Sequence, residues 1–322
     1  LLNLNITLPS ATPKEGLDQT LTYDTLIIGG GPAGLSAAIY LKRKGLNVGI
    51  ISKKMGGQMA DTTSVENYPG IEMISGVDLT HEFQKHATSL HVPILEGYGV
   101  ESIENGHIKK VTLDNDDSYL AKTLLIVTGS KARTLDVPGE KEFYGRGVTY
   151  CAICDGPLFA DRRVIVVGGG NSAVEAALDL AKIAEHVTII HRSHFRADQI
   201  VLDKLHQAKN ITVHLEAQIQ EIFGERLVKG AKVLDKKTGE VTSVEAAGVF
   251  IEVGYIPNSQ LVESLVALNP QGEIISNSHC ETSVPGIYAA GDVTNTPYKQ
   301  IVVAAGEGAK AALSINDYLN RA

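Results

Sequence analysis

The 322-residue sequence has no tryptophan, only three cysteines and three methionines, and no apolar run longer than a strand. Each shortage excludes a class. Three cysteines cannot build a disulfide-stapled secreted scaffold, and two of them sit together in Cys151-Ala152-Ile153-Cys154, so a reducing, cytoplasmic setting is expected. Runs such as Leu124–Val127 and Val164–Val167 fall far below the roughly 20 apolar residues that span a bilayer. Basic residues are in deficit, 29 against 37 acidic, for a formal charge of -8. That balance argues against a nucleic-acid footprint and against an anionic membrane surface. The opening stretch Leu1–Thr20 lacks the basic and apolar regions of a secretory signal. What remains, at 43% hydrophobic and 20% charged, is an ordinary globular composition long enough for about two domains.

Glycine is plentiful, at 32 residues, and its placement carries the first functional signal. The apolar strand Tyr23–Ile28 runs into Gly29-Gly30-Gly31-Pro32-Ala33-Gly34; helical spacing follows over Leu35–Lys44, and a second strand over Leu46–Ile51. In such a strand–turn–helix, Gly29 makes the tight turn, Gly31 lets backbone approach a pyrophosphate, and Gly34 lets helix pack on strand. The pattern recurs. Strand Arg163–Val167 leads into Gly168-Gly169-Gly170-Asn171-Ser172-Ala173, then a helix over Val174–Ala184 and a strand over Val187–Ile190. Ala173 in the third position still permits close packing. Two such turns imply two dinucleotides, and the usual pair is a flavin and a nicotinamide.

The residues after each second strand separate the two sites. After the second unit, His191, Arg192 and Arg196 stand where an acid would hold a ribose 2′-hydroxyl; two guanidinium groups suit a 2′-phosphate and favour NADPH. The plainer alternative is a basic strand end paired with Glu185 or Asp198. After the first unit comes Ser52-Lys53-Lys54, where a flavin site often carries Glu.

Two thiols separated by two residues close a small ring and exchange with other disulfides by thiolate attack. Half of a zinc site is the bland reading of Cys151 and Cys154, but no second C-x-x-C or His pair accompanies them, and no metal is expected. Asp155, next in sequence, is placed to move a proton to a released thiolate, or else is a turn carboxylate. Cys280 reads as a spectator.

From Tyr23 onward the chain resembles the low-molecular-weight thioredoxin reductase family, including the related C-terminal part of the alkyl hydroperoxide reductase flavoprotein subunit. The ordered motifs are the first glycine turn, Gly56-Gly57-Gln58, Val65-Glu66-Asn67-Tyr68-Pro69-Gly70, Val127-Thr128-Gly129, Cys151–Gly156, the second glycine turn, Gly254–Asn258, Ala289-Ala290-Gly291-Asp292 and Tyr298-Lys299-Gln300-Ile301. The resemblance implies a flavin site from Gly29, Gly31, Pro32, Ala33, Gly34, Gly57, Gln58, Asn67, Thr128, Gly129, Gly291, Asp292, Lys299, Gln300 and Ile301. It implies a nicotinamide site from Gly168, Gly170, Asn171, Ser172, Ala173, His191, Arg192 and Arg196. It further implies that Cys154 faces the flavin, that Cys151 attacks the partner disulfide, and that Asp155 transfers the proton. Ser193 stands where a second Arg is common, and the hydroperoxide reductase relatives look NADH-directed there.

The implied fold is α/β, with two Rossmann-like dinucleotide-binding domains, the nicotinamide domain inserted into a split FAD domain. The expected boundaries are an N-terminal extension at 1–21, the FAD domain at 22–132 and 259–322, and the NAD(P)H domain with its dithiol at 133–258. Thr128–Val137 and Gly254–Asn258 are the crossings, and the family rotates one domain against the other there. The implied activity is NADPH-dependent reduction, through FAD and Cys151–Cys154, of thioredoxin or a thioredoxin-like protein by a homodimer. The 22 residues before the first strand are too few for the extra N-terminal module of the hydroperoxide reductase branch, so the acceptor is expected to be a separate protein. The alternatives are an NADH-dependent reductase of a peroxiredoxin system, a flavin-dependent dithiol oxidase, or a nucleotide-sensing scaffold.

Overall fold

The computed structural model describes residues 16–62 and 64–321; the first fifteen residues of the extension expected at 1–21 lie outside the described residues. β1 (Thr22–Gly30) has its Leu26–Ile28 core buried on both sides, as a central parallel strand requires. α1 (Pro32–Arg43) starts three residues before the expected Leu35, because Pro32 takes the first helical position, where its fixed φ fits and no N–H is needed. β2 (Val48–Met55) outlasts the expected Ile51: after an irregularity beyond Ile28, Gly30 pairs with Met55, and the Gly56 N–H donates to the Gly30 carbonyl at 2.8 Å. α2 (Gly76–Ser89) is capped by Ser75, whose Oγ accepts from the Asp78 N–H at 3.0 Å. The short strands β3 (Ile94–Glu96), β4 (Val100–Glu104) and β5 (Lys109–Leu113) precede β6 (Ser118–Ile126). β7 (Ser130–Ala132) is the first crossing strand.

Then follow β8 (Val148–Thr149), α3 (Ala152–Asp155), β9 (Arg163–Val167), α4 (Asn171–Leu180), β10 (His186–His191), α5 (Gln199–Gln207) and β11 (Ile211–Leu215). A three-stranded antiparallel meander, β12 (Ala217–Gly224), β13 (Val228–Asp235) and β14 (Val241–Glu245), leads to β15 (Gly248–Ile251). β16 (Tyr255–Pro257) returns, pairing with β7, before β17 (Ile287–Ala289) and α6 (Ile301–Leu319).

The chain divides into two compact units. Among the described residues, one takes in those through Ser64, Tyr68–Ser130 and those from Pro257 on; the other is Val65–Asn67 with Lys131–Ile256. The first holds a seven-stranded sheet in the order β3-β2-β1-β6-β5-β4, with β17 beside β6. Its strands alternate between two cores. Ile27 and Leu125 face α1 and α6, while Leu26, Ile28, Leu124 and Ile126 face Val262, Val266 and Ile274. α6 lies so close to α1 that a Cβ on Gly308 would sit 2.0 Å from the Ala33 carbonyl oxygen. The second unit has the parallel order β11-β10-β9-β15-β8. Val164 and Val166 pack on α4, while Ile165 and Val167 pack on the meander. This is the α/β architecture with two Rossmann-like folds that the paired glycine turns predict.

Candidate active site

The glycine turns show what each position does. Gly29 has φ +123°, and a Cβ there would stand 2.2 Å from the Val127 carbonyl oxygen; on Gly34 it would stand 2.1 Å from the Gly29 carbonyl. Gly168, at φ +149°, would meet the Glu252 carbonyl at 2.3 Å. The middle glycines differ. Among the described residues, the one approach near Gly31 is the Gly56 oxygen at 3.9 Å, and Gly170 has nothing within 4 Å. Both precede a helix as N-caps without a side-chain cap bond, so the first amides of α1 and α4 remain for an anion. Protein closes the outer positions and leaves the middle one open, which fits a pyrophosphate at each turn.

Around the first turn, Ser52 occupies the place of the missing acid. Its hydroxyl accepts from the Gly30 N–H at 3.0 Å and donates to the Lys54 carbonyl at 2.8 Å. Lys54 pairs with Asp61, Lys53 lies 3.7 Å from Asp114, and Glu96 accepts from the Met55 N–H at 3.2 Å. Gly57 opens a short 3-10 turn, and Gln58 donates to Ser130 Oγ at 3.3 Å. Thr128 and Asn258 exchange two hydrogen bonds, of 2.7 and 2.9 Å, beside Gly129 at φ +70°. Gly291 and Asp292 lie in a 3-10 turn after β17. Burial pushes Asp292 up to about 6; Lys299 pulls against this and Glu307 adds to it. No hydrogen bond to its carboxylate occurs among the described residues, so the group is suited to the hydroxyls of a polyol chain. Glu307 braces the turn, accepting from the Gly291 N–H at 2.8 Å and the Thr296 hydroxyl at 2.7 Å. Lys299 is held by Glu273 at 3.0 Å and donates to the Thr294 carbonyl at 2.6 Å. Gln300 caps the start of α6 and Ile301 begins it. Asn67 lies in the 65–67 segment that groups with the second unit.

At the second turn, His191 is 6% exposed and stacks on Phe195, its ring filling the space where a Cβ on Gly169 would stand. Burial first, then Arg196 and Arg192, hold its pKa below the usual range, so it offers a phosphate no charge at neutral pH. The Arg196 N–H ties the loop to the Gly169 carbonyl at 2.7 Å. Arg192 and Arg196 themselves are exposed. Glu185 pairs with Arg163 at 2.9 Å and Asp198 accepts from the Asn171 amide at 2.8 Å; among the described residues neither carboxylate forms an ion pair with Arg192 or Arg196.

Cys151 and Cys154 are joined in a disulfide, with Cα atoms 5.3 Å apart, across the start of α3. Thr149 organises the loop: its hydroxyl accepts from the Cys151 N–H at 3.1 Å and donates to the Asp155 carboxylate. Burial raises the Asp155 pKa above its ordinary value, Thr149 opposing and Glu66 adding. An acid whose burial favours its protonated form, beside a disulfide, has the property a proton donor needs. Cys280 is buried, and burial pushes its thiol up to about 11, which removes it as a nucleophile. Among the described residues no cluster of three or more His, Cys, Asp and Glu could hold a metal ion, and no helix is long and apolar enough to cross a membrane.

Motif and spacing do not single out Thr149, Glu252 or Glu307. Glu307 carries a weak signal, as an acid between Gly306 and Gly308; Glu252 carries one as an acid at the end of the buried run Val249–Ile251.

A family model described as pyridine nucleotide-disulphide oxidoreductase matches residues 23–308. The chain is 42% identical over 313 residues to an alkyl hydroperoxide reductase subunit of Escherichia coli, covering 95% of this chain and 60% of that protein. It is also 42% identical to a Bacillus subtilis protein named NADH dehydrogenase, covering 97% of this chain and 62% of the other. It therefore spans about three-fifths of the length of these curated relatives. The crystal structure of thioredoxin reductase from Streptococcus pyogenes superposes with a TM-score of 0.88 at 42% identity, over 94% of this chain and 99% of that one.

Proposed function

The chain belongs to the pyridine nucleotide-disulphide oxidoreductase family, and from that premise we propose that it is an NADPH-dependent, FAD-containing reductase of thioredoxin or a thioredoxin-like protein. The observation that carries the reading is the Cys151–Cys154 disulfide, folded into the same unit as the second glycine turn. The first unit takes the FAD role and the second the nicotinamide role. When bound, the flavin and the nicotinamide supply two-electron hydride chemistry. The chain supplies the rest. Gly31 with the α1 amides and Gly170 with the α4 amides hold the two pyrophosphates, and Asp292 accepts from polyol hydroxyls. Two electrons and one proton delivered to the Cys151–Cys154 bond leave one thiol and one thiolate. Asp155 holds the proton that neutralises Cys154, and the Cys151 thiolate attacks the acceptor's disulfide. Cys154 then returns its proton to Asp155 and, as thiolate, displaces the mixed disulfide; the two acceptor sulfurs released take that proton and one from solvent.

NADPH is preferred because Arg192 and Arg196 lie exposed in the segment after β10, with neither Glu185 nor Asp198 ion-paired to them. A second reading, NADH and a peroxiredoxin system, is favoured by the names of the curated relatives and by the burial of His191. The homodimer is part of the proposal. The test is anaerobic bleaching of the bound flavin by NADPH and NADH side by side, followed by thiol release from oxidised thioredoxin. Faster bleaching by NADPH with thioredoxin reduction supports the first reading. NADH preference with no thioredoxin turnover supports the second, and bleaching by neither overturns both.

A further inference from the structure

Glu252 follows directly on the buried end of β15. Three contacts fix it. Its N–H donates to the Val167 carbonyl at 2.8 Å, its own carbonyl closes over Gly168, and its Oε1 accepts from the Ala152 N–H at 3.2 Å. One residue thus links the floor of the second glycine turn to the amide that follows Cys151. An amide oxygen would accept the same bond; what an acid adds is a charge that comes and goes.

We propose that Glu252 is a positioning residue that sets the acidity of the Cys151–Cys154 thiols through the Ala152 amide: ionised, it opposes thiolate formation, and protonated, it permits it. The inference rests on reading Cys151–Cys154 as the redox pair. Burial pushes Glu252 up to about 7, with the Ala152 amide pulling the other way, so both forms are populated near neutrality. The groups on the surrounding elements are Asp155 and the two thiols on α3, Glu66 acting on Asp155, His191 behind Gly169, and Arg133 beside Gly254. The first turn of α4 brings only Asn171, Ser172 and Ala173. A unit charge one residue from Cys151 shifts a thiol by about one pH unit, a factor of about ten in thiolate.

In the experiment the holoenzyme is reduced with dithiothreitol, desalted anaerobically, and alkylated with iodoacetamide from about pH 5.5 to about pH 9, spanning the carboxylate and thiol ranges. Modification of Cys151 and Cys154 is read by mass. The wild-type rate is expected to show an inflection near 7, besides the thiol's own. Glu252→Gln keeps the acceptor oxygen and loses the charge. It should lack that inflection and react about three- to tenfold faster at about pH 8, converging with wild type below about pH 6. Asp155→Asn should keep the inflection. A wild-type curve in Glu252→Gln overturns the proposal. So does a change in Glu252→Ala with none in Glu252→Gln, which would make the residue a hydrogen-bond acceptor only. If Glu252→Gln does not fold, a wild-type curve without the inflection, or its loss in Asp155→Asn, overturns the proposal equally. Failure of the redox reading shows separately: NADPH or NADH would then raise no thiols at Cys151 and Cys154 even in wild type, and the proposal falls with it.

Discussion

Replacing Gly168 and Gly170 by alanine, one at a time, separates the folding role of the second turn from its binding role. At Gly168 the backbone sits at φ +149° and the new Cβ would stand 2.3 Å from the Glu252 carbonyl oxygen and 2.7 Å from Ala173 Cβ. Neither neighbour can rotate away. Backbone strain and overpacking together cost about 4 kcal/mol. For a unit of this size that lowers the melting temperature by roughly 15 °C. At Gly170 the backbone is extended, φ -93°, and none of the described residues comes within 4 Å of the new Cβ. The poorer N-cap costs about 0.5 kcal/mol, and the stiffer unfolded chain returns about as much. Gly170→Ala should therefore melt within about 2 °C of wild type. Its methyl nevertheless enters the space a pyrophosphate needs, so NADPH or NADH should bind about 10- to 100-fold more weakly, a loss of roughly 1.4–2.8 kcal/mol. Thermal melts of the nucleotide-free protein and fluorescence titration with each coenzyme read the two effects. Unchanged coenzyme affinity in Gly170→Ala would refute the cradle, and an equal loss of stability in both variants would refute the division of roles.

Cys154→Ser should leave flavin bleaching by the coenzyme intact while disulfide reductase turnover falls to background; turnover near wild type removes Cys154 from the path. Arg192→Ala with Arg196→Ala should raise the KM for NADPH more than about tenfold and that for NADH less than about twofold, since the lost contacts are to a phosphate only one coenzyme carries; equal losses would show that neither arginine reads it. Asp292→Asn should stabilise the flavin-free protein. Raised from 3.8 to about 6, Asp292 is favoured neutral in the fold, so its ionisation costs stability as pH rises through that window. The gain should be absent below about pH 4 and reach up to about 3 kcal/mol above the folded pKa, while FAD affinity falls. Denaturant melts of apoprotein across that range, with FAD titrations, test both halves.

The glycine turns are legible in sequence because their residues satisfy constraints that lie within a few positions of each other. The bounds of the helices they feed are less so, and each difference has a cause. α1 begins inside the motif because Pro32 is preset for a helix. α4 ends at Leu180 rather than the expected Ala184: the Lys182 and Ile183 N–H groups donate three residues back, to the Asp179 and Leu180 carbonyls at 3.1 and 3.0 Å, and distant segments hold the carbonyls beyond. The Asn210 amide donates to the oxygens of Ala181 and Ala184 at 2.9 and 3.3 Å, and the Asp161 N–H donates to that of Ile183 at 2.9 Å. Those donors stand up to 29 residues away. The meander β12–β14 has no comparable signature. In β12 the alternation Ala217, Ile219 is broken by a bulge before Glu221, so Ile222 returns to the core out of phase.

The same distinction applies to the site. Cys151, Cys154 and Asp155 announce themselves by adjacency, but the groups that govern them do not. Thr149 bridges the Cys151 amide and the Asp155 carboxylate, and Glu252 reaches the Ala152 amide from 100 residues on, through the pairing of β15 with β9 and β8. His191 shows the converse. In sequence it is one of three basic groups facing a phosphate, yet the missing side chain of Gly169 makes room for its ring underneath the turn, and burial keeps it neutral. A glycine chosen for one contact thus decides the charge of a residue 22 positions later. Reactive residues are visible in sequence where chemistry fixes their spacing. The proton and charge balance around them depends on which strand ends meet, and that is a property of the fold.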